Sequence, residues 1–69
     1  MKLKKEYIDL LNNTHGLSNE IRTKTKITYA TMKKWKNGDK ANIKKAKAFT
    51  EAINDIYRKS YYLEDIFIF

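Results

Sequence analysis

Lys33 and Lys34 stand side by side between two apolar residues, Met32 and Trp35, in the stretch TYATMKKWKNG, residues 28–38. Thr28 at its start can cap a helix, and Gly38 at its end can stop one. Helical periodicity then turns Met32 and Trp35 inward and leaves the two ammonium groups outward. The chemistry open to such a face is charge-assisted hydrogen bonding to an anion. Bond-making chemistry finds no support elsewhere in the chain. There is one histidine and no cysteine. No paired carboxylates fall on one face, and there is no glycine-rich phosphate loop, no Ser/His/Asp set and no metal-ligand cluster. No enzyme, cofactor or metal is expected. His15, beside Gly16, reads as a helix-end residue that meets the dipole rather than as a ligand.

Charge along the chain sharpens that reading. The net charge is +7. Residues 1–21 balance Lys2, Lys4 and Lys5 against Glu6, Asp9 and Glu20, and residues 48–69 carry a small acidic excess. Residues 22–47 hold ten basic groups (Arg22, Lys24, Lys26, Lys33, Lys34, Lys36, Lys40, Lys44, Lys45 and Lys47) against Asp39 alone. Lysines spread for solubility would not segregate in this way. A localised cationic surface suits a polyanion.

The elements that must position these groups follow from pattern. At 69 residues and 42% hydrophobic content, the chain is one folded domain near the lower size for an unstapled core. No apolar run reaches the ~20 residues of a membrane span, and the basic start MKLKKEY lacks the apolar stretch of a signal peptide. A cytoplasmic protein without a membrane partner is expected. Leu3, Tyr7, Leu10 and Leu11 predict a first helix over about 2–14. Ser18 is expected to cap a short second helix with Ile21 inward, and KIT (26–28) to make a tight connection with Ile27 inward. The third helix should run over about 29–36. Asn42 should cap a fourth, in which Ile43, Ala46, Phe49, Ile53 and Ile56 point inward up to about Lys59. Read as a strand, the tail SYYLEDIFIF sets Tyr61, Leu63, Phe67 and Phe69 on one face with Asp65; read as a helix, it makes a stripe of Tyr62, Leu63, Ile66 and Phe67. A short fifth helix with a β-prone end is the slightly favoured form. The expected fold is therefore all-α, a compact bundle of four to five helices over residues 1–60, with an apolar tail, 61–69, that covers the core or meets another chain.

Residues 17–53, LSNEIRTKTKITYATMKKWKNGDKANIKKAKAFTEAI, resemble the helix-turn-helix of the Cro/C1-type (lambda-repressor-like) regulators. The family places apolar residues at the fourth, tenth, fifteenth and eighteenth positions of its unit; counted from Ser18 these are Ile21, Ile27, Met32 and Trp35. WKNG resembles the tryptophan, two variable residues and glycine that often follow the family's recognition helix. The resemblance implies a helix-turn-helix unit at about 18–37. It implies that Thr28, Tyr29, Ala30, Lys33, Lys34 and Asn37 face the bases of double-stranded DNA. Three positions depart from the family. Arg22 stands where a small residue is usual, Thr25 where an apolar one is, and Lys26 where glycine usually makes the turn. An arginine at a close helix contact must turn its head outward or widen the angle between the helices.

Phosphate contacts are expected beside these base contacts. Lys44 and Lys45 fall in the first turn of the fourth helix, where positive charge opposes the helix dipole by a few tenths to ~1 kcal/mol each. With the free amides of that turn they make an anion site, which Lys40 and Asn42 extend. Ser18 and Asn19, at the start of the second helix, are expected on another phosphate. The resemblance implies a phage or plasmid transcription regulator that binds operator DNA, working as a homodimer. The alternative role is that of an antirepressor, a modulator of repression that forms a complex with a phage repressor protein. Leu63, Ile66, Phe67, Ile68 and Phe69 are the expected contacts with a partner chain.

Overall fold

Thr28 and Asn42 each open a helix by the bond expected of a cap. The Thr28 hydroxyl accepts from the Thr31 amide at 3.2 Å, and Asn42 Oδ1 accepts from the Lys45 amide at 2.9 Å. All 69 residues are described by the computed structural model. In chain order they form β1 (Lys2–Leu3), α1 (Lys5–Asn13), α2 (Leu17–Thr25), α3 (Tyr29–Lys36), α4 (Ile43–Tyr57), α5 (Leu63–Ile66) and β2 (Phe67–Ile68). The domain is mostly helical, with five helices and one small sheet. None of its helices is long and apolar enough to cross a membrane.

The sheet is the departure from an all-α chain. β1 and β2 pair antiparallel, Lys2 with Ile68 and Leu3 with Phe67. The other edge of β1 meets the loop before α4, where Lys2 bridges Lys40 and the Ala41 amide donates to the Met1 carbonyl at 2.8 Å. Residues 2–3 are therefore strand and not the first turn of α1, because their backbone groups find partners far along the chain. Leu3 keeps its expected inward place from this strand.

One continuous core joins every element. α2 packs on α4, with Ile21 from one and Ala46, Phe49 and Ile53 from the other fully buried. At its centre Trp35 of α3, Phe49 of α4 and Phe67 of β2 meet edge to face, with centroids 5.5 to 5.7 Å apart. Such pairs add ~0.5–1.5 kcal/mol each to the area they bury. Ile66 and Phe67 are thus corrected from partner contacts to core residues. Helical spacing carries Ile66 under α4, and strand alternation turns Phe67 inward opposite Leu3. Leu63 is partly covered against the same core, while Ile68 and Phe69 remain 57% and 69% exposed. Ile43 is also corrected. It lies in the first turn of α4 beyond the buried stripe and is 55% exposed, and Ala41 takes the inward place beside it.

Turn chemistry explains the remaining boundaries. Gly16 adopts φ +80° as the residue before α2, so the helix starts at Leu17, which is buried; Ser18 is its second residue and not its cap. His15 lies exposed past the end of α1. Gly38, at φ +91°, closes α3: its amide reaches the Trp35 carbonyl and the next amide, of Asp39, reaches that of Lys34. Lys26 ends α2 in the left-handed region, φ 62°. Its side chain costs about 1–2 kcal/mol there, where glycine is free of the clash. Lys26→Gly is expected to stabilise the fold by about 0.5–1 kcal/mol, since glycine's larger unfolded-state entropy offsets part of the relief. A thermal melt should rise by several degrees; a lower midpoint would contradict the assignment of strain.

Candidate nucleic-acid interface

The connection between α2 and α3 is three residues long, and hydrogen bonds hold it. The Thr25 hydroxyl donates to the Ile21 carbonyl at 2.7 Å and accepts from the Ile27 amide at 3.1 Å. A threonine at a position where an apolar residue was the family expectation thus ties the end of α2 to the turn. Ile27 is buried, which draws the turn onto the core and sets the start of α3. Across the back of α2, Lys24 pairs with Asp55 of α4 at 2.7 Å. That hydrogen bond and charge hold the Asp55 carboxyl below its usual range and the Lys24 ammonium above its own.

α3 divides cleanly. Met32 and Trp35 are 1% and 2% exposed, while Thr28, Tyr29, Ala30, Lys33, Lys34 and Asn37 are all exposed. The six residues expected on bases therefore share the outer surface of one helix and its two caps. Thr28 has less capacity than the rest, because its hydroxyl is committed to the Thr31 amide and also donates to Thr31 Oγ1 at 3.0 Å. No cleft opens on this surface. The three clefts of the molecule lie between α2 and α4, between α1 and the end of α4, and beside the α1–α2 turn, and none has a lining residue from α3. The α3 surface is cationic and lines none of the three clefts, so it offers no pocket that encloses a small molecule.

The expected phosphate contacts form two groups. Asn19 is exposed on the first turn of α2 and Ser18 half-buried beside it. Lys40, Asn42, Lys44 and Lys45 are exposed where the loop meets α4. Asn42 satisfies the Lys45 amide, one of the four that a helix start leaves free. No side-chain hydrogen bond links the two groups.

Arg22 is the residue that sequence reading treated only as a departure. Its guanidinium carbon lies 5.5 Å from the centre of the Tyr29 ring, and its Nη1 donates to Asn19 Oδ1 at 3.1 Å. The head turns outward over the first residue of α3, the first of the two outcomes open to an arginine there. Asn19 and Arg22 are three apart on one helix, a spacing that brings side chains together. That spacing was the available signal. The ring of Tyr29 is long-range information that the spacing does not contain.

The chain matches no protein-family model, no curated protein and no solved structure.

Proposed function

We propose that this protein is a small DNA-binding regulator of the helix-turn-helix type, with α2 and α3 as the two-helix unit and α3 as the helix that enters the major groove. The observation that carries the reading is the division of α3. Met32 and Trp35 anchor one side in the core, and Tyr29, Ala30, Lys33, Lys34 and Asn37 are exposed on the other. The major groove is about 12 Å wide and admits one helix with its side chains. In it, Lys33 and Lys34 donate to guanine edges or phosphates, Asn37 pairs with adenine, and Tyr29 and Ala30 meet thymine methyls. Lys40, Lys44 and Lys45 reach phosphates with the amides at the start of α4, and Ser18 and Asn19 with the start of α2.

One copy is too small for two half-sites. The molecule extends 24 Å at most, whereas recognition helices on one face of the duplex lie about 34 Å apart. Operator binding in this reading therefore uses two copies. The exposed Ile68 and Phe69 on β2 and beyond it are the apolar surface available for a protein contact. The same surface is what favours the second reading, an antirepressor that binds a repressor protein in place of DNA.

A gel shift with a random-sequence duplex tests the first reading. Lys40, Lys44 and Lys45 from each of two copies neutralise six phosphates, so affinity should fall about 10³-fold between 50 and 200 mM salt. No shift at the lower salt, together with release of a repressor from its operator on mixing, would establish the antirepressor instead.

A further inference from the structure

We infer that Arg22 is a DNA phosphate contact, seated by the ring of Tyr29 and the amide of Asn19. The inference rests on the proposed docking and assigns a residue that this docking leaves unused.

A guanidinium carries five N–H donors and no acceptor. Within the chain only one donor of Arg22 is used, from Nη1 to Asn19 Oδ1 at 3.1 Å. Its Nε is shut off from water and has no partner. No carboxylate neutralises it, since the one ion pair of the molecule joins Lys24 to Asp55. The positive head is stacked at 5.5 Å on an aromatic ring that is itself 57% exposed. This is an arginine fixed in direction, partly stripped of hydration and short of acceptors. An oxyanion supplies what it lacks, and phosphate matches the planar fork of the guanidinium.

Position selects the phosphate backbone over a base. Arg22 belongs to α2, the helix that crosses the backbone in this type of docking, and the base-reading surface belongs to α3. Tyr29 links the two by fixing the Arg22 head at the start of α3. In this arrangement the exposed face of Tyr29 orients the arginine, and the bond from Arg22 holds Asn19 Oδ1, which leaves the Asn19 amide nitrogen to turn toward the same phosphate.

Fluorescence anisotropy with a random-sequence 24-base-pair duplex, titrated with salt, tests the assignment. The variants are Arg22→Met, which keeps the aliphatic stem, Tyr29→Leu and the pair together. Arg22→Met should weaken binding about 10-fold and reduce the slope of log affinity against log salt by about 0.9 for each copy bound. Tyr29→Leu should weaken it in the same direction, and the double variant should be no weaker than Arg22→Met alone. A cation–π contact that served only stability would move the melting temperature and leave the salt slope unchanged, which overturns the inference. If Arg22→Met melts below the assay temperature, the slope of Tyr29→Leu decides: a reduced slope supports the seated arginine and a native slope overturns it. Native affinity and slope in Arg22→Met, with weakened binding in Lys44→Ala, would end this assignment and leave the DNA-binding reading standing. A native protein that binds no duplex at 50 mM salt would end both.

Discussion

Phe67→Ala is expected to remove about a third or more of the domain's stability and to lower its urea midpoint accordingly. Truncating a buried phenylalanine costs about 3–5 kcal/mol. A domain of this size holds roughly 3–10 kcal/mol in total, at 0.05–0.15 kcal/mol per residue. Phe67 is 1% exposed and contacts Trp35 and Phe49 edge to face. Its loss therefore opens a void at the point where β2, α3 and α4 meet. The effect should reach the proposed interface, because Trp35 is the anchor that holds α3 with its lysines outward. Ile68→Ala is the control. It lies next in the chain but faces solvent opposite Lys2, so it should cost less than about 1 kcal/mol. Urea unfolding followed by circular dichroism reads both. Equal midpoints for the two variants would mean that the C-terminal strand does not pack as described.

Lys33→Ala combined with Lys34→Ala should abolish specific DNA binding and leave the fold intact. Each good contact to a base edge is worth about 1–3 kcal/mol, so losing two weakens binding by about 30-fold or more. Both side chains are exposed and neither makes a hydrogen bond or ion pair within the chain. Alanine is the better helix former and removes adjacent like charges, while the two lysines in the last turn of α3 meet the helix dipole favourably; these effects offset, so the thermal midpoint should hold within a few degrees. An operator selected from a random pool with the native protein provides the probe. Unchanged affinity in this variant, at an unchanged melting temperature, would remove α3 from the interface and favour the antirepressor reading.

Much of the scaffold was legible without coordinates, and the reason is locality. Helix caps and helix faces are written within a few residues of where they act. Thr28 and Asn42 announce α3 and α4 because each cap is satisfied three residues on. Met32 and Trp35 announce the inward face of α3 because helical spacing fixes it, while Ile21 and the turn residue Ile27 take the inward places that the family resemblance implies. The cationic exterior of α3 follows from the same spacing. The tail SYYLEDIFIF admits both a helix and a strand by pattern, and the structure takes one after the other, as α5 and β2.

Tertiary structure decided the rest, and in each case the deciding partner is remote in sequence. Lys2 and Leu3 are strand because Phe67 and Ile68 pair with them. Ile66 and Phe67 are core rather than partner surface because α4 and Trp35 enclose them. Ile43 has the pattern of a buried residue but nothing packs over the first turn of α4 at that point. Arg22 reads locally as an obstacle between two helices, and only the ring of Tyr29 turns it into an aimed cation. The sequence by itself determined which helices form, how α3 is divided and where positive charge collects, since those depend on near neighbours and a fixed period. Which apolar residues stay exposed, and which cation is held in a set direction, came from contacts that close only when the chain folds back on itself.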